Sequence, residues 1–82
     1  MFKVKVIIKL KKGISDPEGV NTLKALHLLG FDNVIEAKTI RIFDLKVDNK
    51  DKKNIIVDVE KMCQRLLTNP VIHDYEIEII GD

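Results

Sequence analysis

Apolar and polar residues alternate along residues 2–11, FKVKVIIKLK, with Ile7 as the interruption. Phe2, Val4, Val6, Ile8 and Leu10 fall on one face, and Lys3, Lys5, Lys9 and Lys11 on the other. A period of two is the mark of a half-buried strand. Gly13 breaks it, and Ser15-Asp16-Pro17-Glu18 opens a helix. Ser15 or Asp16 can cap free N–H groups, Pro17 suits the first helical position, and Glu18 faces the positive end of the dipole. The spacing of Val20, Leu23, Leu26 and His27, widened by Ala25, Leu28 and Leu29, predicts a helix over 17–29 closed by Gly30. Gly19 costs up to about 1 kcal/mol there relative to Ala. Either a neighbour packs closely against it or the first turn is irregular.

Residues 34–48, VIEAKTIRIFDLKVD, read as strand again, with no Gly, Pro or Asn to make a hairpin. Taken whole, the segment would extend about 50 Å, whereas a domain of this length has a radius of gyration near 12 Å, about the value that scaling predicts. Its apolar phase also changes. Ile35, Ala37, Phe43, Leu45 and Val47 share one face and Ile40 and Ile42 the other, so the middle is expected to be buried on both faces or to carry a bulge. Residues 48–53 form a polar turn containing Asn49. A second helix is expected over 52–67, its buried row Ile55, Val59, Met62 and Leu66 widened by Ile56, Cys63 and Leu67. Thr68-Asn69-Pro70 stops it. The last strand covers 71–80, with Val71, Tyr75, Ile77 and Ile79 on one face and Glu76, Glu78 and Ile80 on the other.

The order β-α-β-α-β predicts an α+β fold: a two-layer α/β sandwich with a long middle strand and an antiparallel sheet carrying two helices on one face. It is related to the ferredoxin-like unit, which would need a hairpin within 34–48. A long strand outrunning its own sheet predicts a sheet extended by dimerisation. The 82 residues make a single domain, 1–82. From the mass, a compact chain would expose about 5,000 Å² and bury about 63% of its unfolded surface, a marginal core for a lone monomer. Apolar residues make up 45% and charged residues 33%, a globular composition. The net charge of +1 argues against a nucleic-acid partner held by counterion release. No apolar run reaches the length of a membrane span and the N-terminus is no signal peptide, so a cytoplasmic domain without a membrane partner is expected.

Candidate chemistry is sparse. There is no GxGxxG, P-loop, HExxH or GxSxG pattern. Cys63 reads as a buried small hydrophobe rather than a nucleophile. His27 and His73 read as structural histidines, since no third metal ligand has recognisable spacing. Glu76 and Glu78, opposite the lysine face, read as ion-pair partners rather than a catalytic carboxylate pair. Lys38 and Arg41 bracket the middle of the long strand, as solubilising charges or as contacts to an anionic partner.

Two segments carry a resemblance. Asp16-Pro17-Glu18-Gly19, followed by Ala25-Leu26-His27-Leu28-Leu29-Gly30-Phe31, resembles the DPxG…AL..LG[YF] pattern of the PurS family. Cys63-Gln64-Arg65-Leu66-Leu67-Thr68-Asn69-Pro70-Val71-Ile72-His73-Asp74-Tyr75 resembles the family's C..LL.NP.I.DY segment. One departure stands at Ile40, where the family often has glycine between basic residues; Lys38 and Arg41 persist on either side.

The resemblance implies the small subunit of a three-chain phosphoribosylformylglycinamidine synthase. That complex converts formylglycinamide ribonucleotide, glutamine and ATP into formylglycinamidine ribonucleotide, glutamate, ADP and phosphate in purine biosynthesis. It implies a dimer or tetramer that bridges a glutaminase subunit and an ATP-using synthetase subunit and assists ammonia transfer. It further implies no catalytic, cofactor or metal residue in this chain, with ATP and Mg²⁺ used by the complex. Partner contacts are expected at Lys38 and Arg41, at Asp16 and Gly19, and at Asn69, Pro70, His73 and Asp74. Two other readings are weighed against it: a free-standing ferredoxin-like dimeric regulatory or ligand-binding module, and a small enzyme using Cys63 or the two histidines.

Overall fold

A computed structural model describes residues 1–48 and 50–81. Asn49, within the expected polar turn, lies outside the described residues. The elements in chain order are β1 (Phe2–Leu10), α1 (Pro17–Leu28), β2 (Arg41–Val47), α2 (Lys52–Met62), a π-helical turn (Cys63–Leu67) and β3 (His73–Gly81). The three strands form one antiparallel sheet with β1 in the middle, in the order β2-β1-β3. The α+β class and the order of elements are as the sequence predicts.

Register follows from the alternation. Val4, Val6 and Ile8 of β1 stand opposite Leu45, Phe43 and Arg41 of β2, and opposite Ile79, Ile77 and Tyr75 of β3. Helix α2 covers this face. The core is Val4, Val6, Ile8, Ile55, Val59 and Cys63, all buried. Burying such aliphatic side chains contributes about 1.5–3 kcal/mol each. On the reverse face two lysines of β1 meet acids: Lys5 lies opposite Asp44 and Glu78, and Lys9 opposite Asp74, with a 3.8 Å ion pair to Glu76, while Lys3 stands opposite Lys46.

Three expectations need correction. The buried row of α2 is Ile55, Val59 and Cys63, whereas Met62 and Leu66 are exposed. Residues four apart stack on one helix face, so Ile55 commits positions 59 and 63 to the sheet. The paired part of the long strand is Arg41–Val47 alone; residues 34–40 lie outside the sheet, and Ile40 and Ile42 are about half exposed. The middle of that segment is therefore not buried on both faces within the chain.

The third correction concerns α1, which does not lie on the sheet. Its only buried residue is Gly19, and Leu28 is 88% exposed. The reason is local: α1 is tied to the extended residues that follow it. The Asp16 carboxylate at its start accepts the Thr39 N–H, and the His27 Nε2 near its end lies 2.7 Å from the Val34 carbonyl. Helix and extended segment form an arm, and only α2 forms the second layer. The arm gives the protomer extents of 50 × 27 × 14 Å and a radius of gyration of 16.3 Å. Its 6439 Å² of accessible surface exceeds the value near 5,000 Å² that the mass predicts, about that of a compact chain. Among the described residues, no helix is long and apolar enough to cross a membrane.

Ile55, fully buried in the first turn of α2, is the core residue with most to lose. Ile55→Ala is expected to destabilise the protein by about 2–5 kcal/mol, measured by urea unfolding, while Ile56→Ala on the exposed side changes stability far less.

Candidate functional site

One end of the molecule collects most of the expected contact residues. There β1 finishes, the 11–16 loop turns into α1, the extended segment enters β2, and the 69–72 turn leads into β3. Lys11 N–H donates to the Ile72 carbonyl at 2.8 Å, closing the 11–16 loop against that turn. Ile8 and Leu10 bring Arg41 and His73 alongside through the sheet register.

Asp16 organises this end. Its Oδ1 accepts the Gly19 N–H at 3.0 Å, capping α1, and its Oδ2 accepts the Thr39 N–H at 2.8 Å. Both bonds favour the charged carboxylate. The Thr39 N–H, followed by the Gly19 N–H, holds Asp16 below the ordinary aspartate value of 3.8, against a smaller opposing effect of desolvation. Gly19 is needed for the same closeness: a Cβ there would stand 2.5 Å from the Ala37 carbonyl oxygen. A close neighbour, not an irregular turn, accounts for the glycine inside the helix.

The 63–74 segment is held by its own side chains. The chain leaves α2 through a π-helical turn, in which Thr68 N–H and Thr68 Oγ1 both donate to the Cys63 carbonyl, at 2.9 and 2.8 Å. Asn69 Oδ1 accepts the Val71 N–H, and the Asn69 N–H donates to His73 Nδ1 at 2.9 Å. The Asn69 carbonyl accepts from both Ile72 and His73. Asn69 and His73 therefore clamp the turn that contains Pro70. Burial pushes the Cys63 thiol up, and the Glu60 carboxylate adds to the effect; the thiolate that a nucleophile needs is disfavoured. Among the described residues, no group of three His, Cys, Asp or Glu side chains could hold a metal.

Two clefts flank the segment around Thr39. Asp16, Glu18, Thr39, Arg41 and His73 line a cavity of about 230 Å³ floored by Ile8, Leu10 and Leu67. Lys9, Lys11, Lys12 and Lys38 line a second of about 220 Å³ on the far side, with Gly13 and Ile40. Lys38 and Arg41, grouped by sequence, thus face different clefts. Asp74 sits on neither; it lies opposite Lys9 at the start of β3. Sequence reasoning missed Thr39, Lys11 and Lys12 at this end. Thr39 could not have been found from pattern, because its role is a backbone N–H bond to a residue 23 positions away.

Residues 3–81 match the sequence profile of the family described as PurS: phosphoribosylformylglycinamidine (FGAM) synthase. The chain is 48% identical over 79 residues to the phosphoribosylformylglycinamidine synthase subunit PurS of Methanocaldococcus jannaschii, covering 96% of this chain and 95% of that one. The crystal structure of Methanocaldococcus jannaschii PurS superposes with a TM-score of 0.91 at 46% identity, covering 100% of this chain and 99% of that one. A chain in the structure of PurLQS from Thermotoga maritima matches with a TM-score of 0.86 at 25% identity, over 96% of each chain.

The Asp16 geometry predicts an acid response. The depressed carboxyl contributes stability that is present above the ordinary aspartate range and lost as pH falls through the lowered folded value. Acidification should therefore loosen the tie between α1 and residues 37–39, seen as joint movement of the Gly19 and Thr39 amide resonances. In Asp16→Ala this joint movement should be absent and the melting temperature at neutral pH lower.

Proposed function

The chain belongs to the PurS family, and on that footing we propose that it is the non-catalytic bridging subunit of a three-chain phosphoribosylformylglycinamidine synthase, joining the glutaminase to the ATP-dependent synthetase and assisting ammonia transfer. The observation that carries this reading is the family match across residues 3–81, nearly the whole chain. The likeness to a chain of PurLQS supports membership of a multi-subunit assembly. ATP and Mg²⁺ serve the complex and are held by other subunits, and the complex works in the cytoplasm.

The physical logic is one of confinement. Ammonia released into water is protonated or lost by diffusion, so the two active sites must be held in register and closed off from solvent. A small subunit contributes by presenting separate surfaces to two larger proteins. The end of the molecule built around Asp16 is the surface we assign to partner contact, with Lys38 and Arg41 on its two clefts, Gly19 beneath, and the Asn69–Asp74 turn beside them.

Self-association belongs to the same reading. Leu28, Leu29 and Phe31 on the arm are exposed, Ile35 is 90% exposed, and, among the described residues, 34–40 lead into β2 without joining the sheet. A second copy is the occupant that satisfies both, covering apolar surface and continuing the sheet. Light scattering at micromolar concentration should return a dimer or tetramer mass; a monomer mass would overturn the self-association.

The bridging role is tested by reconstitution. The wild-type chain should recover both larger subunits from cytosol. Lys38→Glu combined with Arg41→Glu should lower glutamine-dependent synthesis while sparing synthesis driven by added ammonia, because only transfer between sites is impaired. Unchanged glutamine-dependent activity would remove these two residues from the contact.

A further inference from the structure

The lysine-lined cleft carries charge that the fold does not use. Along β1 Lys5 is answered by Asp44 and Glu78 and Lys9 by Asp74, whereas Lys3 stands opposite Lys46. Beyond the sheet that compensation stops. Neither Lys11 nor Lys12 has an ion-pair partner among the described residues. Lys9 and Lys38 hold Glu76 at 3.8 Å and Glu36 at 3.0 Å, but all four side chains are at least half exposed. Such pairs are worth little and exchange readily. The carboxylate lining the cleft, Asp16, already accepts the N–H groups of Gly19 and Thr39.

Resting on the bridging role, we propose that Lys9, Lys11, Lys12 and Lys38 form an electrostatic docking cleft for a carboxylate-rich surface of one of the larger subunits. The donor set favours an acidic protein surface over a free phosphate. Lysine binds phosphate as a point charge, and a small phosphate site commonly adds free backbone N–H groups or the fixed fork of an arginine to fix the geometry. Here three backbone N–H groups of the cleft are already spent, Lys11 on Ile72, Ile14 on Lys11 and Thr39 on Asp16. Among the described residues, no arginine lines the cleft. What remains is four ammonium groups on flexible stems, from two chain segments that the Asp16–Thr39 bond holds together. Such an array steers and orients an acidic partner without demanding one geometry.

The test is binding of wild type and of Lys11→Glu/Lys12→Glu to the purified synthetase and glutaminase subunits. Substitution leaves the Lys11 backbone bond to Ile72 in place. At about 0.1 M salt the variant should bind one of the two subunits about tenfold or more weakly. That difference should shrink at about 1 M salt, as the screening length falls from about 10 to about 3 Å. The light-scattering mass should be unchanged, and Lys11→Gln/Lys12→Gln, a milder change, should fall between. Equal binding of variant and wild type to both subunits overturns the cleft alone. Failure of the wild type to bind either subunit overturns the cleft together with the bridging reading. Saturable binding of ATP or inorganic phosphate by the wild type, lost in the variant, would make this a small-anion site and overturn the docking role.

Discussion

The fold depends on one shortage: a three-stranded aliphatic sheet with a single helix to cover it. Helix α2 and the turn after it lie on the sheet through Ile55, Val59 and Cys63, and among the described residues that contact makes the buried hydrophobic core. Helix α1 is apolar enough to have joined it, yet is tied elsewhere. The Asp16–Thr39 and His27–Val34 bonds fasten it at both ends to the extended chain that follows. The surface exposed by that arrangement is more than a chain of this mass would show if compact, and it is concentrated on the arm. Within one protomer the stable part is the sheet with α2, and the arm is an offer of apolar surface to something else.

Side chains that could carry chemistry are mostly engaged in holding backbone. Asp16 caps a helix and fastens the arm, Thr68 ends the π-helical turn, and Asn69 and His73 clamp the next turn. This explains why the two motif segments are ordered as they are. Asp16, Thr68, Asn69 and His73 stand where the chain changes direction and leaves N–H or C=O groups that need partners. The proline and glycine between them fit the same account: Pro17 at a helix start, Gly19 under Ala37, Pro70 within the clamped turn.

How much of this was legible in the sequence follows from what periodicity reports. Alternation in β1 and β3 and the 3.6-residue stripe in α1 located the elements to within two residues, because those patterns record local geometry. They also identified the face that Val4, Val6, Ile8, Tyr75, Ile77 and Ile79 share. Periodicity does not say what covers a face. Leu28, Leu29, Ile35, Ile40 and Ile42 were all read as burial signals, and all are exposed in the protomer. The same blindness applies to the site. Lys38 and Arg41 looked like one basic pair, but three positions along an extended chain point to opposite sides, and they face separate clefts.

An arm, a charged end and a reverse sheet face give a small chain three surfaces of different character. A single subunit needs that variety if it is to bind its own kind and two unlike proteins without confusing them. Apolar contact supplies affinity with little selectivity, and it suits the copy that is always available. Charge supplies orientation and discrimination, because a mismatched partner leaves like charges facing each other. The division seen here, with aliphatic residues on the arm and Lys11 and Lys12, unpaired among the described residues, beyond the end of β1, keeps apolar surface and charge on separate parts of the chain. The Asp16 tie joins those parts, so one carboxylate bonded to the Gly19 and Thr39 N–H groups bears on both kinds of surface at once.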